Sequence, residues 1–220
     1  GTLHFEKGML FTAKEAVIRP GKAALDYISG KRKRYYNIFL FNLLLIGLNL
    51  YLSHLYDQFY LEYFPEEANA IQNNELGNKI DEFLESYSKL IIFLFIPVST
   101  LNSYFIFRRK KLNLSEHAII GGMALIGILI VSVLGYLISF FDFSETFKFI
   151  TVLSPFVPLL ALFYMIFVYY QAFRSEYTLI GFIYRMLIVS LLFVIEIILL
   201  IFIMLGFLSD WKFGAIKYTR

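Results

Sequence analysis

The 220-residue sequence contains no cysteine, a single tryptophan, five prolines and only three histidines. Without cysteine there is no disulfide, no thiolate metal site and no cysteine nucleophile in this chain. With three dispersed histidines there is no metal-ligand cluster of standard spacing, so no metal and no cofactor is expected. A phosphate-binding glycine-rich loop and a nucleophile elbow are also missing, and no catalytic residue is assigned. Charge is scarce as well. Only 17% of the residues are Asp, Glu, Lys or Arg, against about a quarter in ordinary soluble domains.

Apolar residues fill that space. They make up 59% of the chain, mean hydropathy is +0.67, and 25 Phe and 16 Tyr accompany the lone Trp. Five apolar runs approach or exceed the roughly 20 residues that cross about 30 Å of hydrocarbon. They are residues 38–56, 90–107, 118–141, 149–173 and 182–208. Lipid supplies no hydrogen-bond partners, so each run must satisfy its own backbone, and none alternates in the way a barrel strand does. The expected fold is therefore an all-α integral membrane bundle of about five transmembrane helices. Pro97 in the second run, and Pro155 and Pro158 in the fourth, remove backbone donors and should bend those helices.

Charge is distributed in alternating segments. Residues 1–37 hold eight Lys and Arg, including Lys31-Arg32-Lys33-Arg34 beside the first run. Segment 57–89 holds two Lys against eight acidic residues, and Arg108-Arg109-Lys110-Lys111 follows the second run. By the bias of Lys and Arg toward the inner side, the N-terminus is cytoplasmic and the acidic loop 57–89 is outside. The tail 209–220 runs against this pattern: its Lys212, Lys217 and Arg220 fall outside with five spans and inside with four.

Three accessory helices are predicted. Leu3, Met9, Leu10, Ala13, Ala16 and Val17 recur at helical spacing, giving an interfacial helix over 3–18 that ends at Arg19-Pro20-Gly21. A shorter helix, 22–29, stops at Gly30, so that residues 1–37 read as an interfacial, basic platform. In the outer loop, Leu76, Ile80, Phe83, Leu84 and Tyr87 lie opposite Asn78, Asp81, Glu82 and Glu85. That is an amphipathic helix continuous with the second span.

The segment GMLFTAKEAVIRPGKAALDYISGKRKRYYN (8–37) resembles a bacterial membrane family known as domain of unknown function 3667. The later FRRKKLNLSEHAIIGG (107–122) is similar to that family's second recurrent segment. The resemblance implies a bacterial cytoplasmic membrane and no known activity, and it singles out Arg19, Pro20, Gly21, Lys22, Gly30, Glu116 and His117. The family often carries paired cysteines ahead of its Arg-Pro-Gly-Lys element. This chain has none, and its opening at Gly1-Thr2 fits an absent upstream portion as well as a member without them. In architecture alone, five spans behind an N-terminal platform are similar to Yip1-type membrane proteins.

Glu196 is the most informative residue. It lies in the middle of the fifth run, where an ionised carboxylate costs roughly 2.5–3.5 kcal/mol on insertion scales. It must face the bundle, accept hydrogen bonds or carry a proton. Two readings stand: a proton, cation or substrate site, and an interhelical hydrogen bond. Asn42 and Asn49 share a face of the first span with Ser53, as interhelical glue or as partners of Glu196. Gly121, Ala124, Ser132, Gly135 and Ser139 form a small-residue stripe suited to close helix approach. Lys31–Arg34 and Arg108–Lys111 either fix orientation against anionic lipid head groups or form a head-group or phosphate site. Glu116-His117 reads as a cap or interfacial contact. Expected partners are membrane lipids, with a protein partner or a homo-oligomer open and nucleic acid excluded, since the nearby aromatics are membrane anchors rather than a stacking platform.

For function, the sequence points first to an organiser of lipids or partner proteins. A small transporter or channel component using Glu196 comes second, and a lipid-acting membrane enzyme third.

Overall fold

The computed structural model describes residues 2–65, 75–209 and 211. Among these residues every regular element is helical. In chain order they are α1 (Thr2–Ile18), α2 (Pro20–Ile28), α3 (Ile38–Tyr63), α4 (Glu75–Ile106), α5 (Leu114–Ser139), α6 (Val157–Phe173) and α7 (Leu179–Leu208), linked by short 3-10 turns. Five helical stretches are long and apolar enough to cross a membrane, and they coincide with the five apolar runs. The loop helix of the sequence reading is present as the first turns of α4, continuous with the second span. The side chains of Leu3, Leu76, Asn78, Asp81 and Glu85 lie outside the described residues, as does the basic tail with Lys212, Lys217 and Arg220.

The helix starts follow local chemistry. Asn37 Oδ1 accepts from the Phe39 and Leu40 amides and caps α3. Asn113 and Glu116 form a reciprocal capping box at α5, and Thr178 caps α7 through the Gly181 amide. Pro97 sits within the continuous α4. The fourth span is divided by its prolines: Lys148–Phe156, containing Pro155, is a 3-10 helix, and α6 begins at Val157 with Pro158 in its first turn.

Helix α5 is the hub. More than half (56%) of its apolar window is buried, against 6% and 11% for the fourth and fifth spans, whose apolar side chains are left for lipid. Its glycines explain the close packing. A Cβ on Gly122 would fall 2.8 Å from Ile38 of α3, and one on Gly135 would fall 2.9 Å from Val157 of α6. A Cβ on Gly127 would enter the Tyr164 ring, and one on Gly121 would overlap the Ser99 hydroxyl.

The direction of packing is fixed by two asparagines. Asn42 Nδ2 donates to Ile38 O and Gly122 O, both at 2.9 Å. Asn49, one heptad later, donates to Leu45 O at 2.8 Å and Leu129 O at 3.2 Å. Both partners advance by seven residues, so α3 and α5 run parallel with a coiled-coil repeat. Lys31–Arg34 before α3 and Arg108–Lys111 before α5 therefore share one end of the bundle. The start of α7 is there too: Arg109 and Arg185 lie over the Tyr177 ring, and Lys110 approaches Glu176 at 3.7 Å. The other end is aromatic, with Tyr56, Phe59 and Tyr63 against Phe140 and Phe143, and Tyr56 donating to Asp142 at 3.1 Å.

The N-terminal helices do not lie apart from the bundle. Helix α2 packs against both α5 and α6, and Ala16, Ala23 and Ala24 are fully buried.

Candidate functional site

Four polar residues near the C-terminal end of α4 face inward. Ser99, Thr100, Asn102 and Ser103 are all buried, within a helix that is otherwise apolar at this depth. Ser99 and Thr100 return their hydroxyls to Ile96 O, at 3.0 and 2.6 Å. Asn102 reaches across to α7 and donates to Glu196 Oε2 at 2.9 Å. Glu196 is half-buried, inside the fifth span.

Three further groups extend this pair. Tyr169 of α6, 1% exposed, donates to Ser99 O at 3.4 Å. Ser103 donates to Thr100 O at 3.1 Å, and its oxygen meets His117 Nδ1 at 2.9 Å. His117 is buried, stacked on Phe173 and edge-on to Tyr104. Glu196 with Asn102, Tyr169 with Ser99, and Ser103 with His117 thus form a polar cluster drawn from four helices. It contains a carboxylate, a phenol, a hydroxyl and an imidazole, groups able to hold or pass a proton.

The structure separates residues that the sequence reading joined. Asn42 and Asn49 do not meet Glu196; they hold α3 to the α5 backbone, and each leaves Oδ1 buried without a donor. Glu196 instead pairs with Asn102, which the sequence reading overlooked. A signal was available: Ser99, Thr100, Asn102 and Ser103 are four polar residues in the second apolar run. Glu116 and His117 diverge despite adjacency, Glu116 accepting from the Asn113 amide at 2.8 Å while His117 turns into the bundle. Two recesses, of about 300 Å³ beside Asn49, Ser132 and Tyr136 and about 220 Å³ beside Ser132, Gly135 and Ser139, lie away from Glu196.

The basic end has its own order. Lys31, Arg32, Lys33 and Arg34 occupy an exposed 3-10 turn after Gly30, whose φ of 99° suits glycine. Arg32 and Arg34 lie over the Tyr27 and Phe11 rings. Arg108, Arg109 and Lys111 are exposed, while Lys110 also contacts Ser175. The Arg19-Pro20-Gly21-Lys22 element forms a joint. Arg19 binds Glu15 at 2.5 Å and Asp26 at 3.3 Å, and Pro20 opens α2. Gly21 lies against α6, where a Cβ would fall 2.6 Å from Gln171 Cβ, 2.7 Å from Ala172 N and closer still to Val168 O. The Lys22 amide donates to Gln171 Oε1 at 3.4 Å. The hydrogen bond to Glu15 raises the Arg19 pKa, and that from Lys31, at 2.6 Å, lowers the Asp26 pKa.

Residues 6–46 match the family model described as Protein of unknown function (DUF3667). The match bears out the resemblance read from residues 8–37. Within the DUF3667 segment lie the α1–α2 joint, the first basic run and the start of α3 through Asn42. No curated protein and no solved structure matches the chain.

Proposed function

We propose that the protein is a small membrane transporter or channel component that moves protons or couples to them through the polar cluster that includes Glu196 and His117. The supporting observation is the 2.9 Å Asn102–Glu196 contact, with the Ser103–His117 contact beginning at the next residue of the same helix. A lone interhelical hydrogen bond would need only the first pair. A carboxylate at membrane depth and a buried imidazole near the start of α5, each paired with α4, supply the groups a proton path requires. Charge bias and the family resemblance support a bacterial cytoplasmic membrane with the basic end inside as part of this reading. A second copy or a protein partner would complete the pathway, since 220 residues carry no inverted repeat.

The test is proton flux in liposomes holding a trapped pH dye, under an imposed potassium diffusion potential. Wild type should acidify the interior faster than empty liposomes, and Glu196→Gln should abolish the difference while leaving the protein folded. Equal flux from Glu196→Gln and wild type overturns the reading.

A second reading, an organiser of lipids or partner proteins, is favoured by the exposed basic runs at one end. Each Lys or Arg near an anionic surface contributes about 1 kcal/mol. Removing Lys31–Arg34 should then release anionic lipid from the purified protein. A lipid-acting enzyme has less support, because Glu116 is committed to a cap and His117 to the bundle interior.

A further inference from the structure

Helix α1 does not stop at the level where the spans begin. Its residues 8–12 do sit there: the Tyr36 amide, two residues before α3, donates to Thr12 Oγ1 at 2.7 Å, and Phe11 packs edge-on to Tyr35. One turn later the partner changes. Ala16 O accepts from the Tyr164 hydroxyl at 2.6 Å, and Tyr164 lies nine residues before the end of α6, about 13 Å along that helix. The same Tyr164 ring occupies the space opened by Gly127, in the middle of α5. Gly21 then meets Val168 and Ala172, so the turn between α1 and α2 lies alongside the last two turns of the fourth span rather than beyond its end.

The side chains of this turn suit that position. Val17 and Ile18 are 50% and 57% exposed at its tip. The neighbouring face of α6 is apolar and uncovered, with Phe163 and Phe167 also exposed. Arg19 pairs with Glu15 and Asp26, and Asp26 pairs with Lys31, giving two cations and two anions in one cluster, while the exposed Lys14 and Lys22 flank the tip on long side chains that can reach the head-group level. Ionisable groups are tolerated at membrane depth when paired in this way.

We infer that α1 and α2 form a re-entrant hairpin, whose Val17–Ile18 tip is covered by acyl chains of the leaflet at the basic end. Its occupant is lipid hydrocarbon, because the tip continues the lipid-facing surface of the fourth span. The hairpin is an alternative to the interfacial placement expected for residues 3–18 and is independent of the proton-path reading.

The absence of cysteine makes the test direct. Single-cysteine variants Ile18→Cys, Val17→Cys and Ser29→Cys are spin-labelled in liposomes of phosphatidylglycerol and phosphatidylethanolamine. Collision rates with oxygen and with a water-soluble nickel complex are then compared. Labels at 17 and 18 should collide with oxygen and lose the nickel collisions seen at exposed Ser29. Nickel collisions at 17 and 18 equal to those at 29 overturn the inference in favour of a surface helix. Protection from both agents overturns it in favour of a protein cover, such as a second copy. A circular dichroism spectrum matching the unlabelled protein confirms that each variant is folded.

Discussion

Replacing Gly21 by alanine tests the joint on which the N-terminal hairpin depends. The added methyl would lie 2.6 Å from Gln171 Cβ and 2.7 Å from Ala172 N, and closer to Val168 O, where ordinary contacts are 3.4–4 Å. Two of the three obstacles are backbone atoms, so rotamer changes cannot relieve the overlap, and α2 must move off α6 by about 1 Å. Overpacking of this kind costs about 1–3 kcal/mol, and this site belongs at the upper end because main chain is involved. Gly47 supplies the control. It lies on the outer face of α3, and a Cβ there would meet no heavy atom within 4 Å, so Gly47→Ala gains up to about 1 kcal/mol of helix propensity. Thermal unfolding in mild detergent, followed by circular dichroism, should lower the midpoint for Gly21→Ala and leave it equal or higher for Gly47→Ala. Equal midpoints for the two variants would refute the packing argument.

Other consequences follow from named contacts. Asn42→Asp replaces a double donor by an acceptor facing Ile38 O and Gly122 O, so it should destabilise more than Asn42→Ala, read as a lower unfolding midpoint at neutral pH. Asn49→Leu loses one interhelical bond, which in membrane bundles averages about 0.6 kcal/mol, so the fold should survive with a small midpoint drop. Glu196→Gln keeps an acceptor for Asn102 and should retain stability while losing flux, whereas Asn102→Leu should lower both. Asp26 has a pKa below its ordinary 3.8, chiefly through Lys31. Its contribution is therefore full above the unfolded value and disappears as pH falls through the lower folded value. Acid loosening of the hairpin, followed by a spin label at Ile18, should be weaker in Asp26→Asn, where no carboxylate remains to protonate.

The sequence alone determined the elements. Apolar run length, Asn37, Asn113 and Thr178 as caps, and the prolines of the fourth span act within a few residues, because backbone satisfaction and hydrophobicity are local properties. The family segment was legible in the same way, from contiguous residues. Partnerships were not. Glu196 announced by its depth that it needed a donor, but Asn42, Asn49 and Asn102 all lay in apolar runs, and only the relative rotation and height of four helices selected Asn102. The meaning of Gly21 was hidden for the same reason: a missing Cβ becomes informative only when another backbone occupies its place. Tertiary structure also turned the N-terminal helices inward, since an amphipathic pattern states which face is apolar but not whether lipid or another helix will cover it.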